Sequence, residues 1–410
     1  MRFIKNLFSF IIYLLMIIVF CATVYFCLDV FGIIEVPKEY SIASIFYSEI
    51  ETIAATGENF EEVVDINKKI VKEPIYGINN IANTVVENTN TNTVDLNEIL
   101  EELTKANEQN QKQGNLIDQN SINTSSYRKF YYSQLDDYAK TIYDQLYMNK
   151  ENLKTGTYTV DFGRTFNELL NTEGGEKILD DDFQLAINAL IFDNPEFFYL
   201  DVTKFYMSTK ETIRLFSRTY NVSIGAHGGN YLVNDFSDET ALREAISKID
   251  SAKDYLVDRV YNNDIDKIRA VHDYLVDTID YDGSKESTAY TAYGALVDKK
   301  AVCEGYAKAF KYVLDDMKIP CILVRGVAKN NDGESEGHAW NYVKVDDQWY
   351  AVDVTWDDPV ITGIGKISEE RKYKYFLKGA NEFFENHYED GTIMDNISFQ
   401  YPRLSVINYD

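Results

Sequence analysis

Three side chains in the second half of the sequence, Cys303, His338 and Asp353, are of the types that form a thiol catalytic triad. In such a triad a thiolate attacks a carbonyl carbon, an imidazole transfers protons, and a carboxylate holds the imidazole in one orientation. Each residue alone is more often structural, since a lone cysteine is usually a small buried hydrophobe. The hypothesis therefore depends on whether local elements bring the three side chains together.

The sequence predicts that Cys303 lies at the start of a helix. Apolar residues follow it at helical spacing: Tyr306, Phe310, Val313, Leu314 and Met317. Cys303 falls on the same stripe and points inward from the first turn, where the positive end of the helix dipole favours a thiolate. Gly305 leaves room for another backbone or a substrate to come close. After Pro320, the segment Cys321–Val327 is predicted to be a buried strand with an inert cysteine.

His338 and Asp353 are predicted to lie on one face of a β-hairpin. The segments His338–Val345 and Gln348–Thr355 alternate between apolar and polar residues, and Asp346-Asp347 lies between them. A turn centred there makes His338 and Asp353 diagonal neighbours, roughly 7–8 Å apart by backbone. The carboxylate can then orient the imidazole.

A zinc site is the competing chemical reading of the same residue types. It is disfavoured because the sequence lacks paired-ligand spacing such as Cys-x-x-Cys. We expect no metal and no organic cofactor, and the spacing of an EF-hand calcium loop is also missing from the sequence. Two further histidines, His272 in a helix and His387 near the C-terminus, are predicted to be structural.

Several motifs around the triad resemble the transglutaminase-like superfamily, in the form found in bacterial exported and membrane-anchored proteins. The core motifs are Ala292–Leu296, Val302–Ala307, Gly337–Asn341 and Val352–Pro359. Flanking segments with the same resemblance are Val271–Leu275 with Tyr281-Asp282, and Phe376-Leu377, His387 and Tyr401-Pro402 in the tail. The resemblance covers about 265–405.

This resemblance implies a papain-like α+β catalytic domain with an antiparallel sheet and a helix that begins at the cysteine. It implies that Cys303 is the nucleophile, His338 the general acid/base and Asp353 its orienting carboxylate. Candidate oxyanion donors are the backbone N–H of Cys303 and the side chain of Tyr293. Trp340 is a candidate wall of the substrate cleft, and a packing role fits it equally well.

The chemistry expected of this site is attack of the Cys303 thiolate on a peptide or glutamine-type amide, which gives a thioester. Water would complete hydrolysis, as in a protease or amidase, and an amine would complete transfer, as in a transglutaminase. The expected partners are extracellular proteins or peptides, cell-wall-associated ones included. An alternative of a different class is a catalytically idle surface module that binds such partners through the same cleft.

The N-terminus is predicted to be a transmembrane anchor over residues 1–31. An apolar run from Leu7 to Val30 is long enough to span a bilayer, and Arg2 and Lys5 precede it. The positive-inside rule then leaves the N-terminus cytoplasmic and the remainder outside the cell. A cleaved signal peptide, which would give a secreted protein, is the alternative.

Beyond the anchor, composition divides the chain into three parts. Residues 32–126 are predicted to be a polar stalk, because Asn, Thr, Gln and Glu dominate from Asn79 to Ser126. Residues 127–264 are predicted to be a small α+β domain, and 265–410 the catalytic domain. Within the small domain, helices are expected near 130–148, 178–192 and 236–261, and strands at 157–162, 197–202 and 213–224.

Charge and cysteine content argue against two classes of protein. The chain has 66 acidic and 40 basic side chains, a formal charge of −26 that repels phosphate backbones, so nucleic-acid binding is disfavoured. Of the four cysteines, Cys21 and Cys27 fall in the apolar run, so there is no disulfide framework. A bridge between Cys303 and Cys321 is disfavoured because their predicted elements have incompatible directions.

Overall fold

A computed structural model describes residues 63–69, 129–214, 217–226, 229–282, 287–330, 335–358, 368–394 and 397–409. The predicted anchor lies outside these ranges, and so does the predicted stalk except for the strand at 63–69. Within the described ranges, no helix combines the length and the apolar character needed to cross a membrane. The anchor and the stalk therefore stay predictions.

The described α-helices, in chain order, are α1 (Asp137–Met148), α2 (Lys150–Leu153), α3 (Asn167–Leu170), α4 (Gly175–Asp193), α5 (Glu239–Val257), α6 (Asp264–Thr278), α7 (Cys303–Asp316), α8 (Val354–Asp357), α9 (Glu369–Lys372) and α10 (Ala380–Phe383). Short 3₁₀ turns lie at Tyr132–Gln134, Pro195–Phe197, Val202–Lys204, Asn234–Phe236 and Ser287–Tyr290, and a π-helical turn lies at Gly294–Asp298.

The described strands are β1 (Val63–Lys69), β2 (Val160–Gly163), β3 (Phe205–Arg214), β4 (Ser217–Ala226), β5 (Asp280–Tyr281), β6 (Lys300–Ala301), β7 (Cys321–Lys329), β8 (Ser335–Val345), β9 (Gln348–Val352), β10 (His387–Glu389), β11 (Thr392–Met394) and β12 (Ile397–Ser398).

The chain divides into two compact units, each built of helix and sheet. The smaller unit contains Asp161–Leu179 and Met207–Ile224, together with the β1 segment up to Lys68. It holds a four-stranded sheet in the order β1-β3-β4-β2. The larger unit contains the three triad residues and a second four-stranded sheet in the order β10-β7-β8-β9. The boundaries at 127 and 265 stay predictions.

Two strand predictions in the small domain were wrong. The segment predicted as one strand at 213–224 contains the end of β3 and most of β4, which are two neighbouring strands of one sheet. The segment predicted at 197–202 begins at the end of one 3₁₀ turn and ends at the start of another, where the Asp201 side chain accepts the N–H of Thr203 at 3.2 Å. Its aromatic residues are buried, so the apolar run reflected burial and not a strand.

The hairpin that carries His338 has the predicted register. Asn341 pairs with Val352 and Val345 pairs with Gln348, so the turn is centred on Asp346-Asp347. Both turn residues have positive φ angles, 46° and 62°. A two-residue turn with positive φ at both positions has a twist that matches the right-handed twist of the flanking strands. Aspartate adopts positive φ more readily than most residues.

Helix α7 begins at Cys303, as predicted, and packs on the sheet through its apolar stripe. Tyr306 and Phe310 are almost completely buried. The Asn341 side chain on β8 donates to the backbone carbonyl of Ala307 at 3.0 Å, which ties the first turns of the helix to the sheet. A Cβ at Gly305 would lie 2.3 Å from the Ala289 carbonyl oxygen, so glycine is required for this close approach.

The second strand of the hairpin ends earlier than predicted. β9 stops at Val352, and Asp353 is the N-cap of the short helix α8. The Asp353 carboxylate accepts the backbone N–H groups of Thr355 at 3.0 Å and Trp356 at 3.2 Å. Aspartate is among the strongest N-cap residues, so the predicted continuation of the strand to Thr355 was wrong.

Candidate active site

Cys303 is the first residue of α7, and it is partly exposed. The preceding residue, Val302, has extended backbone and its side chain does not cap the helix. Because Val302 has no side chain that caps the helix, the backbone N–H groups of the first turn remain available to stabilise negative charge near Cys303. Cys303 and Cys321 are both free cysteines, and burial raises the pKa of the Cys321 thiol in β7, which agrees with an inert role.

His338 lies between the thiol and the carboxylate. Its Nε2 atom is 2.6 Å from Asp353 Oδ2, which leaves Nδ1 as the other ring nitrogen, and the side chain also interacts with the Cys303 thiol. Burial alone lowers the pKa of His338, but the charge and hydrogen bond of Asp353 and the contact with Cys303 raise it well above its usual range. The Asp353 carboxylate therefore favours the protonated imidazolium form of His338.

The Asp353 carboxylate is fully buried and is bound on both oxygens. Oδ1 accepts the two backbone N–H groups of the α8 cap, and Oδ2 accepts from His338. Burial alone would raise the pKa of Asp353. The charge and hydrogen bond of His338, with a hydrogen bond from His387, lower it below its usual range. The carboxylate is therefore charged and held in one orientation at neutral pH.

His387 is a second histidine on the same carboxylate. Its Nε2 atom is 3.0 Å from Asp353 Oδ2, and the ring is fully buried. The ring stacks on Phe383 with a centroid distance of 4.2 Å. The sequence indicated His387 only as part of the tail motif, and its role beside Asp353 was missed.

The side chains of His338, Asp353 and His387 are of types that can bind a metal ion, and one ligand atom from each lies within 4.8 Å of the others. The Oδ2 atom of Asp353 already has both histidine rings at hydrogen-bond distance, 2.6 and 3.0 Å. All three side chains are buried. We therefore assign a hydrogen-bonded cluster, and the expected absence of a metal stays a prediction.

The two predicted accessory residues, Tyr293 and Trp340, lie in the packed interior. Tyr293 is 8% exposed and packs against Phe198 and Phe236, with centroid distances of 5.5 and 4.9 Å. Trp340 is 1% exposed and lies edge-on to His387, with a centroid distance of 5.2 Å. Trp340 thus packs behind the histidines, and Tyr293 belongs to an aromatic cluster.

Two other tyrosines, Tyr281 and Tyr290, lie close to the thiol. Tyr281 is 46% exposed and pairs with Ala301, two residues before Cys303. Burial raises the pKa of both phenols, and the charge of Cys303 raises them further. Both therefore stay protonated at neutral pH and can donate a hydrogen bond. Sequence reasoning missed Tyr281, because it is separated from Cys303 along the chain and brought close by the pairing of β5 with β6.

His272 on α6 supports the far end of α8. Its Nε2 atom is 3.1 Å from Asp357 Oδ2, and its Nδ1 atom is 3.0 Å from Asp273 Oδ1. Burial lowers the pKa of His272, but the hydrogen bonds and charges of the two carboxylates outweigh it, so the pKa is raised. Asp357 also accepts the backbone N–H of Tyr375 at 2.8 Å. The cap at Asp353 and this ion pair together hold both ends of α8.

Comparison with known proteins agrees with this geometry. Residues 254–354 match the Transglutaminase-like superfamily, and the matched segment contains Cys303, His338 and Asp353. The chain therefore carries a domain of the transglutaminase-like superfamily, and the resemblance in the sequence motifs is confirmed.

Among curated proteins, the chain is similar to the Kyphoscoliosis peptidases of Mus musculus and Homo sapiens. Each is 30% identical over 124 residues, which are 27% of this chain and 19% of the relative. The chain thus spans about a fifth of the length of these relatives.

Among solved structures, the chain is similar to a TGase at 16% identity and a TM-score of 0.25, covering 41% of this chain and 48% of that one. It is also similar to a proposed cysteine protease from Cytophaga hutchinsonii at 16% identity and a TM-score of 0.23, covering 34% and 52%.

Proposed function

We propose that this protein is a cysteine-dependent acyl-transfer enzyme that forms a thioester on Cys303. The observation that carries the proposal is the position of His338, which interacts with the Cys303 thiol and has its Nε2 atom 2.6 Å from Asp353 Oδ2. The superfamily includes both cysteine proteases and acyltransferases. A nucleophile, a base that contacts it and a third group that orients the base are the parts required for covalent catalysis.

In the first half-reaction, Cys303 Sγ attacks the carbonyl carbon of a peptide or glutamine-type amide. Charge develops on the carbonyl oxygen, and we assign the backbone N–H of Cys303 and the Tyr281 hydroxyl as its donors. The carbon–nitrogen bond then breaks, and the His338 imidazolium gives its proton to the leaving amine. The products are a thioester on Cys303 and a free amine or ammonia.

In the second half-reaction, an acceptor attacks the thioester. His338 removes a proton from the acceptor, the carbon–sulfur bond breaks, and Cys303 returns to the thiolate. Water as acceptor gives a protease or amidase, and a primary amine gives a transglutaminase. Hydrolysis and transfer use the same side chains, so an assay of the product is needed to distinguish them.

The first experiment measures the reactivity of Cys303 with a thiol-specific probe at pH 6, where a free thiol with a pKa of about 8.5 is almost wholly protonated. We expect labelling well above that of a free thiol, lost in Cys303→Ala and strongly reduced in His338→Gln. Cys321→Ala is the matched control, because Cys321 is a buried thiol with a raised pKa, and it should label as the wild type does.

If Cys303 labels no faster than a free thiol and His338→Gln changes nothing, the enzyme proposal fails and an idle binding module becomes the better reading. A second experiment supplies a fluorescent primary amine with a mixture of protein substrates. Incorporation of the amine that depends on Cys303 indicates transfer, and new N-termini without incorporation indicate proteolysis.

We also propose that the domain acts outside the cell, on protein or peptide substrates. The support is the apolar run from Leu7 to Val30 and the basic residues that precede it. Protease added to intact cells should remove the domain that carries Cys303. Full protection of that domain in intact cells, with cleavage after lysis, would contradict the outside location.

A further inference from the structure

We propose that His387 is a positioning residue for this reaction: it donates from Nε2 to the Asp353 carboxylate, which in turn orients His338. The inference rests on the proposed acyl-transfer function and deepens it. It extends the site from three side chains to four, none of the four adjacent in sequence to another.

Strand pairing is what brings His387 to the site. His387 pairs with Ala328 on β7, and two residues earlier on β7 Gly326 pairs with His338 on β8. The two histidines therefore come from strands on opposite sides of β7. Their Nε2 atoms reach the same oxygen, Asp353 Oδ2, at 2.6 Å from His338 and 3.0 Å from His387.

The Asp353 carboxylate determines which ring nitrogen of His387 carries the proton. An ionised carboxylate can only accept, so each ring must present an N–H to it. The pKa of His387 is lowered to about 4. Burial is the largest cause, the charges of His338 and Lys374 also lower it, and the Asp353 carboxylate raises it by less. The neutral ring therefore carries its single proton on Nε2. Its Nδ1 atom lies 2.8 Å from Asn386 Oδ1, and the Asn386 NH₂ group faces the Tyr375 hydroxyl at 2.9 Å. A bare Nδ1 can only accept, so the neutral ring requires the Asn386 amide in its alternative orientation, with the NH₂ group towards Nδ1 and the carbonyl oxygen towards the Tyr375 hydroxyl.

This second donor limits the motion of the carboxylate. The Asp353 Oδ1 atom is bound by the N–H groups of Thr355 and Trp356, and Oδ2 is bound from two sides by the two rings. Without the N–H of His387, a buried anionic oxygen would keep only its bond to His338. An under-satisfied buried carboxylate is costly, and its rotation would release His338 from its orientation towards Cys303.

A purely structural role for His387 is the competing explanation. The ring packs among Phe383, Trp356 and Tyr375, with centroid distances of 4.2, 4.7 and 5.1 Å. Two substitutions separate the explanations, because one keeps the ring and the other keeps the donor. His387→Phe retains an aromatic ring and removes the N–H, and His387→Gln removes the ring and retains a side-chain N–H.

The test measures turnover and the rate of Cys303 labelling at pH 6 for the whole chain. We expect His387→Phe to lower kcat and labelling about 10- to 100-fold, the effect of losing one hydrogen bond to a charged group, with KM nearly unchanged. His387→Gln should stay within about threefold of the wild type, since it keeps the donor. Equal loss in both variants, or loss in His387→Gln alone, would show that the ring matters only for packing.

Two safeguards keep the outcome interpretable. If His387→Phe does not fold, as judged by thermal unfolding, His387→Met replaces it as a flexible apolar variant without a donor. If wild-type Cys303 labels no faster than a free thiol, the acyl-transfer proposal itself fails. If the wild type labels fast and His387→Phe labels equally fast, only the positioning role of His387 is overturned.

Discussion

Replacing Asp353 by asparagine keeps the shape of the side chain and removes its charge. The asparagine oxygen can still accept the N–H groups of Thr355 and Trp356, which bind Asp353 Oδ1 at 3.0 and 3.2 Å. Its NH₂ group then faces the Nε2 atoms of His338 and His387 and cannot accept a hydrogen bond from either ring, because an amide NH₂ group only donates. His338 would have to present a bare Nε2, and its proton would move to the nitrogen that faces the thiol.

The magnitude follows from the two hydrogen bonds that are lost. A hydrogen bond to a charged group is worth about 1.5–3 kcal/mol, so the loss of two is about 3–6 kcal/mol. At about 1.4 kcal/mol for each factor of ten, kcat should fall roughly 10²- to 10⁴-fold. Asp353 is fully buried and does not reach a bound substrate, so KM should change little.

The assay compares kcat, KM and Cys303 labelling at pH 6 in Asp353→Asn and in a matched control, Asp193→Asn. Asp193 is also a buried carboxylate, and it accepts the backbone N–H groups of Tyr131 and Tyr132 at 3.0 and 2.9 Å, with no histidine partner. The control should lose stability and keep its labelling rate. A folded Asp353→Asn protein that labels at the wild-type rate would refute the triad.

Three further predictions concern stability. Gly305→Ala should destabilise by about 1–3 kcal/mol and slow Cys303 labelling, since its Cβ would lie 2.3 Å from the Ala289 carbonyl oxygen; a urea midpoint equal to that of the wild type would contradict this. His272→Leu leaves the Asp357 carboxylate buried without its ring partner and should cost about 3–5 kcal/mol in urea unfolding, and adding Asp357→Asn should recover part of that loss. The pKa of His387 is lowered to about 4 in the folded protein, so as the pH falls the unfolded chain binds a proton at this residue before the folded chain does. The free energy of unfolding should therefore fall by on the order of 3 kcal/mol between about pH 7 and pH 4. Urea unfolding at both pH values checks this, and His387→Gln should not show the loss.

Local patterns in the sequence were enough to predict the elements that carry the triad. Helical spacing after Cys303 predicted where α7 begins, and alternation on both sides of Asp346-Asp347 predicted the register of the hairpin. These features depend on residues that are close in sequence, where the 3.6-residue and two-residue periods apply directly. The end of β9 was predicted wrongly because Asp353 has a competing preference as a helix cap.

Other features of the site arise only in the tertiary structure. The pairing of β5 with β6 places Tyr281 beside Ala301, two residues before Cys303, and the pairing of β10 with β7 brings His387 to Asp353. Tyr293, predicted near the reaction centre, is instead packed in an aromatic cluster.

The sequence by itself was enough to predict that Cys303, His338 and Asp353 come together, because local periodicity indicates the helix that begins at Cys303 and the hairpin that carries His338 and leads into Asp353. It could not determine which side chains support them, because strand pairing between distant segments carries no periodic signal. The second histidine on Asp353 was therefore decided by the tertiary structure alone, where β7 lies between the strands of His338 and His387.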